Sequence, residues 1–151
     1  MTENPHGSLA PRHASGIEDA GQRRTAEHPA GVAVVINSKS GTVRTLGAKV
    51  ARDTIEAALA DWEGERDIQL VDGAGIEDAV TDILNSGKFD RIIVGGGDGT
   101  VASVAGLLAG TNVAMGILPM GTMNLMAKAL GIDIGIEPAL AELKTAERRS
   151  I

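Results

Sequence analysis

Hydrophobic residues are scattered without a repeating face over residues 1–30, and the pattern changes abruptly at Gly31. Val32-Ala33-Val34-Val35-Ile36 is a near-continuous β-branched run, the mark of a strand buried on both faces. Beyond a polar stretch, Leu46, Val50, Ile55, Ala58, Leu59 and Trp62 recur at roughly helical spacing up to Gly64, which predicts one helix. Residues 67–71 read as a second strand. Ile76, Ala79, Val80 and Ile83 follow the i, i+3, i+4, i+7 rule and predict a second helix that Gly87 is placed to end. Arg91-Ile92-Ile93-Val94 is a third strand running into Gly95-Gly96-Gly97. A third helical face (Val101, Val104, Ala105, Leu108) closes at Gly110, and residues 113–118 form a fourth strand. A short helix with Met126, Ala129 and Leu130 on one side stops at Gly131. Pro138 opens a last helix, with Glu137 near its start and Arg148-Arg149 near its end, as the helix dipole favours.

Strand–helix alternation of this kind predicts right-handed crossovers and an α/β three-layer sandwich around a mostly parallel, Rossmann-like sheet. Ligands of such sheets sit at the carboxyl ends of the strands, so the loops after the strands are where chemistry is expected. Residues 1–30, rich in Pro, Gly, His, Ala and charge, are expected to be a disordered tail, leaving residues 31–151 as a single domain.

Composition removes several classes of function. No stretch approaches the ~20 apolar residues of a membrane span. The chain has no cysteine, which suits a reducing cytoplasm and rules out thiolate metal sites. Its net charge of −6 and its scarcity of aromatics, only Trp62 and Phe89, argue against nucleic acid as a partner. His6, His13 and His28 all lie in the tail, so the folded part has no histidine-based site, and their spacing matches no common metal pattern. Arg23-Arg24 lacks the hydrophobic region that a twin-arginine export signal requires.

Three loops carry the candidate chemistry. Asn37-Ser38-Lys39-Ser40-Gly41 follows the first strand. Its small residues let backbone N–H groups approach an anion, and Lys39 adds a positive charge. A plain polar strand-to-helix turn is the alternative. Gly95-Gly96-Gly97-Asp98-Gly99-Thr100 follows the third strand. Its glycines remove the Cβ atoms that would hold a phosphate off the backbone, and a helix beginning near Thr100 offers unpaired N–H groups. Asp98 would repel a phosphate unless a divalent metal or a proton in transit lay between them. The alternative is a glycine turn with a capped helix. The loop is neither a Walker A sequence nor a dinucleotide fingerprint, which would need a third glycine at Thr100. Leu118-Pro119-Met120-Gly121-Thr122-Met123-Asn124 follows the fourth strand. Pro119 and Gly121 set a tight turn, Thr122 is positioned as an N-cap or a ligand hydroxyl, and the Asn124 amide is free to bond a base, a ribose or a neighbouring loop.

In this order the loops resemble the diacylglycerol kinase catalytic-domain family, which includes bacterial lipid kinases and the sphingosine kinases. The family's Asn-Pro-x-Ser-Gly is matched by Asn37–Gly41 with Ser38 in place of proline, Gly-Gly-Asp-Gly-Thr by Gly96–Thr100 without change, and Pro-x-Gly-Thr-x-Asn by Pro119–Asn124. The resemblance covers residues 31–151. It implies an ATP-dependent kinase that passes the γ-phosphate to the hydroxyl of a lipid such as diacylglycerol. ATP and Mg2+ would be held by Asn37, Ser38, Lys39, Ser40, Gly41, Gly95, Gly96, Gly97, Asp98, Gly99, Thr100, Gly121, Thr122 and Asn124. Asp98 would be the catalytic carboxylate that orients metal or phosphate, and no metal ligand set is assigned beyond it.

The match has departures. Leu125 stands where the family often has Asp, and Leu70-Val71-Asp72-Gly73 lacks a nucleotide-binding threonine. Family members continue into a mostly β domain that supplies the general base, so this chain is expected to be the N-terminal half of such an enzyme. Peripheral contact with the inner face of the membrane is expected through that other half, because this sequence has no strongly basic amphipathic helix. NAD kinases share Gly-Gly-Asp-Gly-Thr, but their Asn-x-Gly-x-Leu-Gly-Phe pattern has no counterpart at residues 118–122. A non-catalytic nucleotide-binding module is the remaining alternative.

Overall fold

A computed structural model describes residues 31–147; the expected tail and Arg148-Arg149 lie outside them. The elements run β1 (Val32–Asn37), α1 (Gly41–Leu46), α2 (Ala48–Ala58), β2 (Arg66–Val71), a 3-10 turn (Gly73–Gly75), α3 (Ile76–Ser86), β3 (Arg91–Gly96), α4 (Asp98–Leu108), β4 (Ala114–Pro119), α5 (Leu125–Ala129) and α6 (Ile136–Thr145). All strand pairings are parallel, in the order β2-β1-β3-β4.

Because side chains alternate across a strand, the β-branched run of β1 feeds two cores at once. Val32, Val34 and Ile36 pack with Ile93 and Leu118 against α2 and α6, through Ala51, Ile55, Ala139 and Leu140. Ala33 and Val35 pack with Ile92, Val94 and Ile117 against α3, α4 and α5, through Val80, Ile83, Val101, Val104 and Ala127. The three-layer α/β sandwich expected from the alternation is therefore what the chain forms. Each fully buried aliphatic side chain contributes about 1.5–3 kcal/mol, so these two clusters dominate the stability.

Four local expectations need correction. The apolar series from Leu46 to Trp62 is not one helix: Gly47, with φ of 93°, separates α1 from α2, and Leu46 and Val50 are exposed while Val43 is buried. That backbone conformation is left-handed and lies outside helix geometry, so the break is local to the glycine. β3 runs on through Gly95 and Gly96, which pair with Leu118 and Pro119, and α4 starts at Asp98 instead of near Thr100. Met126 and Leu130 face solvent, and Ala127 is the residue α5 buries. Finally, α6 begins at Ile136, leaving Pro138 inside the first turn, where its missing N–H costs no helical bond.

The edge of the α6 layer is fastened by Lys144, which donates to Asp61 at 2.6 Å and to the Ala58 carbonyl at 3.1 Å. The hydrogen bond from Lys144 holds the Asp61 carboxyl below the ordinary aspartate range. The contribution of this pair is fully present above that range and fades as pH falls through the lowered value.

Leu140 tests the packing directly, since it is fully buried between α6 and the sheet. Leu140→Ala is expected to lower the unfolding free energy by about 2–5 kcal/mol, measured by urea denaturation.

Candidate functional site

β1 lies between β2 and β3, so the chain crosses the sheet in opposite directions from it, and β1/β3 is the topological switch point. The loops after β1 and β3 flank that crevice, and the loop after β4 joins them from the side. Asn37 Nδ2 donates to Thr100 Oγ1 at 3.2 Å, linking the first loop to the second. Thr42 N–H donates to the Met120 carbonyl at 3.2 Å, linking the first to the third, and Met120 N–H donates to the Gly96 carbonyl at 3.1 Å, linking the third to the second. The three sequence motifs thus form one cluster at the carboxyl edge.

Within it the predicted residues take different parts. Asn37 also accepts from Lys39 N–H at 2.9 Å, and Ser38 N–H donates to the Val71 carbonyl at 2.7 Å, so the first loop is held to β2 as well. Lys39 is exposed and has no ion pair among the described residues. Ser40 is only 7% exposed, yet its Oγ has no hydrogen-bond partner among the described residues. A buried hydroxyl left unpaired costs about 1–3 kcal/mol, which singles it out as a group awaiting a donor or acceptor. Gly41 is exposed beside it.

The glycines divide by cause. A Cβ on Gly95 would overlap Ile36 Cδ1 and the Met120 sulfur, and one on Gly96 would lie 2.9 Å from Thr100 Cβ, so both are required by packing within the protein. A Cβ on Gly121 would run into the Cα of Gly97, which makes this pair a backbone-to-backbone contact between loops. Gly99 differs, because nothing lies within 4 Å of where its Cβ would be. It sits in the first turn of α4, whose N-cap residue Gly97 supplies no side-chain hydrogen bond, so the opening N–H groups of that helix face open space.

The third loop closes on itself. Gly121 N–H donates to Asn124 Oδ1 and Asn124 Nδ2 donates to the Gly121 carbonyl, both at 2.9 Å. Asn124 has φ of 54°, a left-handed conformation that asparagine tolerates better than most residues. Thr122 is exposed and is not the cap of α5, correcting that expectation: Asn124 occupies the N-cap position, and its amide is already spent on Gly121. The cap comes from another loop. Asp98 accepts from Leu125 N–H at 3.1 Å and from Met126 N–H at 3.2 Å, using both carboxylate oxygens. Sequence reasoning found Asp98 but missed the Leu125 and Met126 amides, Thr42 and Met120. The available signal was a short helix with no Ser, Thr or Asp directly before it.

Two hollows among the described residues lie elsewhere. One of about 640 Å³ runs between α2 and α6, and one of about 430 Å³ lies beside Arg52 and Arg66. Neither is lined by a residue of the three loops.

An open parallel sheet of order 2-1-3-4, with glycine-built loops gathered at its switch point, defines a doubly wound α/β domain. The chain belongs to the diacylglycerol kinase catalytic domain family, whose model matches residues 31–151. Among its relatives, a "Probable lipid kinase YegS-like" protein of Pseudomonas syringae pv. tomato is 31% identical over 109 residues, covering 68% of this chain and 35% of the relative. A protein of the same name from Pseudomonas putida is 34% identical over 106 residues, covering 66% and 36%. A crystal structure of a diacylglycerol kinase from Bacillus anthracis str. Sterne superposes with a TM-score of 0.58 at 28% identity, covering 78% of this chain and 40% of that one. The chain therefore spans about a third of the length of the curated relatives it matches.

Asp98→Ala removes the cap of α5. The expected cost is about 1 kcal/mol, discounted from buried values because Asp98 is half-exposed. Native-state amide exchange at Leu125 and Met126 should rise by about ten-fold while that of β1 and β3 is unchanged.

Proposed function

We propose that this domain binds ATP with Mg2+ at the carboxyl edge and serves a lipid kinase, presenting the γ-phosphate to a lipid hydroxyl such as that of diacylglycerol. The observation that carries the proposal is the convergence of the three motif loops at the switch point, beside a helix start that no side chain caps.

The residues suit a nucleotide phosphate chain. The first-turn N–H groups of α4 and the space over Gly99 form an anion cradle, in which a helix N-terminus contributes about 0.3–1 kcal/mol per favourable charge. Lys39 stands exposed at the adjoining loop, and the next residue, Ser40, holds its unpaired Oγ buried. Among the described residues no three acidic or histidine side chains cluster as a metal cage. Mg2+ is commonly held by one or two carboxylates together with substrate phosphates, and Asp98 is the carboxylate at this cluster. When bound, MgATP supplies the transferable phosphoryl group with part of its charge neutralised. The protein's own share is positioning: Asn37 fixes the first loop on Thr100, and the Gly97–Gly121 contact sets the spacing of the other two.

Gly99→Val gives a direct test, because a Cβ at this position meets no protein atom within 4 Å and the added side chain enters the space beside the loop. In calorimetric titration, MgATP binding by the 151-residue chain should weaken about ten-fold or more in this variant, a loss of about 1.4 kcal/mol, with folding stability unchanged. Equal affinity in both proteins, or no binding by the parent, would sink the proposal. Transfer of labelled γ-phosphate to diacylglycerol would extend it to the acceptor. Binding without transfer to any lipid alcohol would favour a non-catalytic nucleotide module.

A further inference from the structure

We infer that the free edge of β2 is a self-pairing interface, through which two copies of this chain join their sheets antiparallel about a two-fold axis at Ile68. The inference is independent of the nucleotide reading above. It rests on which backbone groups the sheet leaves open.

The sheet has two edges, β2 and β4, and the hydrogen bonds to their neighbours fix which residues point outward. Val32 N–H donates to the Glu65 carbonyl and Ser38 N–H to the Val71 carbonyl, so residues 65, 67, 69 and 71 face β1. Successive residues of a strand aim their N–H and C=O groups to alternate sides in the plane of the sheet, so those of Arg66, Ile68 and Leu70 point away from it. At the other edge, Ala114 N–H donates to the Asp90 carbonyl and Met120 N–H to that of Gly96, which leaves Met115, Ile117 and Pro119 outward. Proline has no N–H to offer, so the β4 edge is interrupted at its carboxyl end. β2 contains neither proline nor glycine, and among the described residues no strand pairs with its outer side. A regular unpaired edge is a template for another strand, which makes the fitting partner a β-strand.

The residues of β2 suit a second β2. Antiparallel pairing centred on Ile68 sets that residue against its own counterpart, Arg66 against Leu70 and Asp67 against Gln69. Asp67 and Gln69 already share a carboxylate–amide hydrogen bond of 2.8 Å within one strand, and across the axis the same two groups stand opposite each other on both sides. No like charges are directly opposed in this register. Ile68 and Leu70 are only partly buried on the α2 side of the sheet, where a matching pair would cover them. The hollow of about 430 Å³ lies along this edge, between Arg66 and Ile68 of the strand and Arg52 and Glu56 of α2. Arg52 and Glu56 pair at 3.1 Å with both side chains about half-exposed, so each copy presents both signs of charge beside the seam. A surface that carries both signs complements itself under two-fold symmetry. The seam would form about six backbone hydrogen bonds and make the two sheets continuous. Because the paired strands run oppositely, the carboxyl edges of the two copies point in opposite directions and the loop clusters are not brought together.

The test is analytical ultracentrifugation of the 151-residue chain, with amide exchange followed at low and high concentration. A dimer is expected at micromolar concentration, in which the amides of Ile68 and Leu70 exchange about ten-fold or more slowly than in the dilute chain while those of Met115 and Ile117 are unchanged. Ile68→Pro removes an outward N–H that β1 does not use and should weaken association about ten-fold or more. Met115→Pro makes the same backbone change at the β4 edge and should leave association unaltered. Gln69→Asp sets carboxylates opposite each other and should also weaken association about ten-fold. Adding Asp67→Lys to it restores opposite charges and should recover the dimer. These side-chain changes leave the backbone donors in place, so they decide the matter where a proline variant does not fold. A monomer at about 100 μM would overturn the inference. So would a dimer whose Ile68 and Leu70 amides are unprotected, equal weakening by the two proline variants in folded form, or no recovery in the doubly substituted chain.

Discussion

The site depends on how closely two loops approach. A side chain on Gly121 would collide with the backbone of Gly97, so the loops after β3 and β4 touch main chain to main chain. The Met120 peptide exploits that closeness from both ends, its N–H donating to Gly96 and its carbonyl accepting from Thr42. With Met120 fully buried, these bonds sit where water competes poorly, and a larger residue at Gly121 would force the loops apart. The glycines at this edge are thus first a packing device. Within the Gly95–Gly99 run, Gly99 is the glycine whose added Cβ would meet nothing within 4 Å.

Asp98 shows how one residue joins local structure to function. A five-residue helix is far too short to be stable alone, and the residue before α5 spends its amide on Gly121. A carboxylate from another loop supplies the missing acceptors. The helix carrying the exposed apolar side chains is therefore anchored by a residue of the glycine-rich motif.

Much of the architecture was legible in the pattern of residues. The runs Val32–Ile36 and Arg91–Val94 are too apolar on both sides for anything but central strands, and Gly87 ends α3 with φ of 67°, as its position after the last apolar residue suggested. Errors arose where a glycine or a proline had more than one use. Gly47 broke an apparently continuous helix, Gly95 and Gly96 served as strand, and Pro138 sat inside a helix it was expected to start. Thr122 looked like a cap because caps are normally local, whereas α5 is capped from Asp98, which precedes Leu125 by 27 residues.

By itself, then, the sequence determined the succession of elements, the two-faced burial of the central strands and the identity of the three loops, since these rest on spacing between near neighbours. Tertiary structure alone decided that the loops meet, that Asp98 caps α5, and that, among the described residues, the Ser40 hydroxyl is buried without a partner and Lys39, Arg44 and Lys128 are left free on the edge that carries the motifs. These are contacts between residues far apart in the chain. They are set by strand order and by how closely backbones can approach, and local periodicity carries no record of either.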